Sequence, residues 1–122
     1  MKATRVQIQM IDRLKGRSDF LRAQGSGRKW VSGTIVLQVA ENGLDIARYG
    51  LTVSKKTDKS AVVRNRIRRR LRAAALEILP LEVKPGLDYV LVGRPAGATK
   101  DYAEIIKDLR WCLKRMEALK EC

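Results

Sequence analysis

The sequence predicts an α+β fold: one small domain with a mixed sheet of about four strands covered by helices. Three observations predict it. Two alternating, β-branched stretches lie between residues 30 and 54, and a run with a helical apolar period fills 61–79. A short apolar segment, DYVLVG, then follows Pro85-Gly86. At 122 residues the chain has room for one modest core. The domain is read as residues 13–119, with 1–12 as an N-terminal extension and 120–122 as a C-terminal tail.

Ser18 to Gly25 reads as a short first helix. Ser18 can cap it, Phe20 and Leu21 offer apolar contacts, and Gly25-Ser-Gly27 ends it. Trp30 to Ala40 reads as one strand, with Ile35, Leu37 and Val39 on one face and Thr34, Val36 and Gln38 on the other. Asn42-Gly43 signals a hairpin, and Asp45 to Ser54 returns as a strand. Its apolar face carries Ala47, Tyr49, Leu51 and Val53; its mixed face carries Ile46, Arg48, Gly50 and Thr52. The apolar faces are expected on the core, and the mixed faces are expected to stay partly open.

Ala61 to Leu79 is the long helix, with Pro80 as its stop. Placed at roughly 100° intervals, Val63, Ile67, Leu71, Ala74, Ala75 and Ile78 fill an arc of about 120°. The opposite arc is Asn65 with Arg66, Arg68, Arg69, Arg70 and Arg72, and Arg64 lies at its boundary. Asp88 to Gly93 is a short buried strand, and Gly93 to Gly97 is a loop without the spacing of a nucleotide-binding fingerprint. Thr99 or Asp101 caps the last helix, with Glu104 completing a box-like pattern. That helix is expected to bury Ile105, Leu109, Cys112, Leu113 and Met116. A strand, a helix and a strand in succession, as in 45–94, normally form a parallel, right-handed crossover.

The charge is uneven. With 26 Lys and Arg against 13 Asp and Glu, the net charge is +13. Residues 1–29 carry +6 and residues 54–72 carry +8, and the rest sum close to zero. Six arginines within nine positions repel one another, so a polyanion is expected opposite them. Arginine suits phosphate because its planar fork makes two parallel hydrogen bonds. Asn65, a poor helix former, lies on the same face, where its amide could bond a ribose or base edge. Lys55, Lys56 and Lys59 extend the positive surface toward the amides at the start of the helix.

Other chemistry is narrowed by composition. The chain has no histidine, which removes histidine acid/base catalysis, Ser-His and Cys-His nucleophile pairs and His-bearing metal sites. Cys112 and Cys122 make neither a disulfide framework nor a zinc site, which suits a reducing compartment. No segment approaches the ~18 apolar residues of a membrane helix, and 1–17 lack a cleavage pattern, so a soluble, cytoplasmic protein is expected. A nuclease acting alone would need clustered carboxylates, and the acidic residues of the central region are scattered. The reading assigns no catalytic residue and no metal ligand to the protein.

Gly50-Leu51-Thr52-Val53-Ser54-Lys55-Lys56 followed by Arg64-Asn65-Arg66-Ile67-Arg68-Arg69-Arg70-Leu71-Arg72 resembles the bacterial ribonuclease P protein subunit. That family's signature is G-L-x-V-S-K-K and then R-N-R-x-[KR]-R-x-x-R. RLKGRSDF upstream and DYVLVGRP downstream are similar to the family in the right order, so the resemblance spans roughly 13–115.

The resemblance implies the small subunit of a ribozyme. A large RNA holds the catalytic magnesium ions and cleaves precursor tRNA to leave the mature 5′ end; the protein needs no organic cofactor. The protein is implied to bind that RNA through the arginine helix, one protein per RNA, and to contact the 5′ leader in a cleft between the first helix and the sheet. The resemblance also implies a left-handed strand-helix-strand crossover in a ribosomal-protein-like domain, against the general rule. The implied cleft residues are Phe20, Gln24, Val36, Gln38, Arg48 and Thr52. Gln24 and Gln38 stand where the family commonly has aromatics, so leader contact would lean more on hydrogen bonds and charge. Phe20 is either a stacking platform or a helix-to-core contact. Trp30 and Tyr49 are read as packing residues, although an exposed Trp30 could stack on a base. Composition alone leaves open a structural RNA-binding protein of ribosomal type; the combined motifs argue against it.

Overall fold

A turn at Ser32–Thr34 divides the first alternating stretch into two strands, so that residues 30–40 are not the single strand their periodicity predicts. The computed structural model describes residues 11–25 and 28–116. Along the chain these form β1 (Ile11–Arg13), α1 (Arg17–Gly25), β2 (Lys29–Val31), β3 (Ile35–Glu41), β4 (Ala47–Thr52), α2 (Ala61–Glu82) and β5 (Leu87–Gly93). A 3-10 turn (Pro95–Ala98) and α3 (Tyr102–Arg115) complete them. The sheet therefore has five strands rather than about four, in the order β1-β4-β5-β3-β2. Ile11 and Asp12, placed in the extension by sequence, are part of it; residues 1–10 and the tail 120–122 lie outside the described residues, as does Cys122.

The sheet is mixed. β4 runs parallel to β1 and β5, and β3 runs antiparallel to β5 and β2. The crossover β4-α2-β5 is parallel as expected. The hairpin is not: β5 lies between β3 and β4, so the strands flanking Asn42-Gly43 are not partners. The turn itself is real. Gly43 sits at φ +71°, and the Asn42 side-chain oxygen accepts from the Leu44 amide at 2.7 Å. Turn chemistry specifies a local reversal, and the pairing is decided elsewhere. Here the loop before β5 laces in, with the Gly86 amide donating to the Ile46 carbonyl and the Asn42 amide donating to the Gly86 carbonyl, each at 3.0 Å.

One face of the sheet carries the main core. Ile35, Leu37 and Val39 of β3, Ala47 and Tyr49 of β4, and Tyr89 and Leu91 of β5 meet Ile67, Leu71, Ala74, Ala75 and Ile78 of α2. Ile105, Leu109, Cys112 and Leu113 of α3 close the same core, with Met116 only partly buried. Gly93 ends β5 beneath α2, where a β-carbon would come within 2.8 Å of Ile67.

Three helix ends differ from expectation. α2 passes through Pro80 to Glu82, because buried Leu79 and Val83 hold its last turn on the core although Pro80 has no amide to donate. α1 begins at Arg17, with the Gly16 carbonyl accepting from the Asp19 amide, so Ser18 lies inside the first turn and does not cap it. Asp101 takes the N-cap position of α3, one of the two expected, but its side chain makes no capping bond; the Glu104 amide is held by the Asp101 carbonyl instead.

Candidate nucleic-acid interface

Ser60 starts α2 by accepting the Val63 amide on its side chain at 3.3 Å. The core-facing arc then fixes the rotation of the helix, which turns the arginine arc away from the sheet. Leading into it, residues 54–60 are tied down: the Thr57 hydroxyl donates to the Gly93 carbonyl at 3.0 Å, and the Ser54 and Asp58 side chains accept the Lys56 and Ser60 amides. Lys55, Lys56 and Lys59 are exposed on this short loop, beside the first turn of α2.

The arginines are not equivalent. Arg69 is exposed and makes no bond within the chain. Arg64 donates to the carbonyls of Asp58 and Lys59, and Arg66 donates from Nε to the Ala98 carbonyl at 2.7 Å. Arg68 reaches the Val53 carbonyl at 2.8 Å and also donates to the Asn65 side-chain oxygen at 3.0 Å. Arg70 donates to the carbonyls of Gly97 and Lys100. Arg72 buries its Nε without any partner. None of these acceptors is a carboxylate. Among the described residues, none of the nine basic side chains from Lys55 to Arg72 forms an ion pair; the ion pairs lie on α1, β4, β5 and the α2–α3 contact. Carbonyl contacts fix the rotamers and leave the charge uncompensated. Such a surface attracts an anion, because no carboxylate offsets its charge and part of the ordering entropy is already lost.

The opposite face of the sheet is covered only in part, by α1. Leu14, Ala23, Ala40 and Val90 form a small second core there, with Phe20 and Val92 packed against it. Strand register sets Gly50, Val90 and Gln38 in one row and Thr52, Val92 and Val36 in the next. Phe20 lies over Gly50, where a β-carbon would fall 2.6 Å from two of its ring atoms. The fold therefore brings Phe20, Val36, Gln38 and Thr52 to one face, all half-buried. Gln24 is exposed on α1.

Arg48 shares this face but is already engaged. Its Nε and Nη2 grip the two oxygens of Asp88 at 2.8 Å each, and Nη2 also reaches Asp19 at 3.3 Å. Arg22 of α1 and the Asn42 amide add two further bonds to Asp88, each at 2.9 Å. Burial alone would raise the Asp88 carboxyl; hydrogen bonds from Arg48, Asn42 and Arg22 outweigh it and hold the group below the usual carboxylate range. Arg48 is a clamp between α1 and the sheet. Sequence reading missed Asp88 and Gly50, although an acid inside an apolar strand and a glycine inside a strand are both signals of special contact. Trp30 packs as expected, edge-on to Trp111 with ring centroids 5.7 Å apart and with Arg115 over it at 5.1 Å, and Tyr49 is in the core.

The sequence model of the family described as Ribonuclease P matches residues 9–117. The chain belongs to that family. A ribonuclease P protein component of Paramagnetospirillum magneticum is 44% identical over 116 residues, covering 91% of this chain and 86% of its own length. That of Clostridioides difficile is 32% identical, covering 85% and 90%. Among solved structures, the RNase P protein of Staphylococcus aureus matches with a TM-score of 0.74 at 26% identity, over 88% of this chain and 97% of that one. The RNase P protein of Thermotoga maritima matches with 0.71 at 27%, over 84% and 96%. As a ribonuclease P protein, the chain is a component of a ribonucleoprotein endoribonuclease that processes tRNA. The alternative of a ribosomal-type structural protein is set aside by this membership. In this ribonuclease P protein the arginine arc of α2 and the Phe20 face lie on opposite sides of the sheet.

Proposed function

We propose that this chain binds the catalytic RNA of ribonuclease P through α2 and the 54–60 loop, and the 5′ leader of precursor tRNA in the cleft between α1 and the sheet. The observation that carries the reading is the run of nine basic side chains from Lys55 to Arg72 without one carboxylate partner. One protein joins one RNA in the cytoplasm. Among the described residues no helix is long and apolar enough to cross a membrane. Magnesium ions held mainly by the RNA and the substrate supply the charge stabilisation for phosphodiester hydrolysis, and the protein orients the leader. In the cleft, Phe20 offers a ring face, Gln38 and Thr52 offer hydrogen bonds, and Val36 with Val92 forms an apolar floor.

Salt tests the α2 surface. If about five phosphates are neutralised, the slope of log K against log salt is about −4, at ~0.7–0.9 per contact. A flat salt dependence, measured by filter binding or fluorescence titration, would refute a phosphate-binding helix. Arg69→Ala is expected to reduce that slope by roughly 0.7–0.9 with an unchanged melting temperature.

The cleft is tested by truncating its one aromatic. Phe20→Ala in the assembled ribonucleoprotein is expected to weaken precursor tRNA binding by roughly five- to a hundred-fold, the range of ~1–3 kcal/mol for one stacked base. Mature tRNA, which lacks a leader, is expected to bind the variant and the parent equally. Equal losses for both tRNAs would make Phe20 a packing residue only.

A further inference from the structure

The guanidinium groups of α2 fall into two sets by what they hold. Arg69 is exposed without a bond in the chain, whereas Arg70 is half-buried with both terminal nitrogens on backbone oxygens, Nη1 on Gly97 and Nη2 on Lys100. That outer edge of the fork is the one a phosphate would take for two parallel bonds. Arg66 adds a third bond to the same segment, at the Ala98 carbonyl. These three carbonyls close the 3-10 turn Pro95–Ala98 and the residues just after it, where the last carbonyls of a helical turn lack partners and carry partial negative charge. The segment is held from its other side as well: the Arg94 amide donates to the Thr34 carbonyl at 3.1 Å, and the Gly97 backbone lies against Thr34.

We infer that Arg70, with Arg66, is a positioning residue for the 94–100 loop, and that Lys100 on that loop makes the phosphate contact that Arg70 itself does not. The inference rests on the RNA-binding reading of α2 and adds the loop to its surface. Lys100 is exposed, and its own carbonyl is bound to Arg70, so its ammonium stays within a side chain's length of the arginine arc. Its amide is held by the Ala96 carbonyl at 3.0 Å, which fixes the backbone on the amide side too. No carboxylate is paired with it. A lysine in the place of Arg70 would keep the positive charge but lose the planar fork that spans two carbonyls.

Arg70→Lys therefore separates the roles. Four proteins are compared as full chains assembled with the catalytic RNA: parent, Arg70→Lys, Lys100→Ala and the double variant, with Arg69→Ala as control. Lys100→Ala is expected to lower affinity about three- to tenfold and to reduce the salt slope by roughly 0.7–0.9. Arg70→Lys is expected to lose as much affinity and slope although its charge is retained. It should also lose amide-exchange protection at Gly97, Thr99 and Lys100. The double variant should be no weaker than either single one. Additive losses, or lost protection with parental affinity, would overturn the inference. So would an Arg70→Lys protein that keeps affinity and protection. If Arg69→Ala weakens binding while Lys100→Ala is silent, the inference fails and the α2 reading stands. If both are silent, the α2 reading fails with it.

Discussion

Asp88→Ala is expected to lower the stability of this protein by about 3–5 kcal/mol, measured by urea unfolding near neutral pH. The Asp88 side chain is fully buried and accepts bonds from Arg48, Arg22 and Asn42. Its removal leaves Arg48 with only the more distant Asp19 at 3.3 Å, in a site with little water. The loss should also loosen α1, since Arg22 connects that helix to Asp88. The effect depends on pH with a definite sign. The folded-state pKa of Asp88 is depressed, so its contribution is present above the unfolded value of about 3.9 and is lost as the pH falls through the folded value. The gap in stability between the parent and Asp88→Asn should therefore be constant from pH 7 to about 5 and shrink below about 4. A gap that does not change down to pH 2 would mean that the carboxylate charge is not what stabilises the contact.

The RNA-free chain is expected to show no cleavage of precursor tRNA at any magnesium concentration, a complete loss relative to the assembled ribonucleoprotein. The sequence has no histidine to move a proton. Several of its carboxylates have other work: Asp19 and Asp88 hold Arg22 and Arg48, and Glu82 holds Arg110. Glu77 accepts from Tyr102, Asp108 accepts both the amide and the hydroxyl of Thr34, and Asp58 accepts the Ser60 amide. Among the described residues no three acidic or thiol groups gather as a metal site would require. Adding the catalytic RNA should restore cleavage at the mature 5′ end, and chelating magnesium should abolish it. Cleavage at that position by RNA-free protein would place catalytic groups in the protein.

The residue order by itself determined the arginine arc, the apolar arc behind it, the alternating strands and the parallel β4-α2-β5 crossover. Those features follow from period and composition within one segment, and local rules are sufficient for them. The family followed from the same segment, because Gly50 to Lys56 and Arg64 to Arg72 are contiguous motifs. Tertiary structure alone decided four things. The reversal at Ser32–Thr34 was hidden because apolar and β-branched residues lie on both sides of it, although in the fold Trp30, not Val31, faces the core opposite Leu37; the place of β5 between β3 and β4 was hidden because a turn does not name its strand's partner. Pro80 stayed helical because distant apolar groups bury its neighbours. The arginines divided by what they hold only once the 94–100 loop came to rest beside α2, some 30 residues from Arg66 and Arg70 in the chain. A helical wheel gives the direction of a guanidinium group, and only the fold brings the carbonyls it meets.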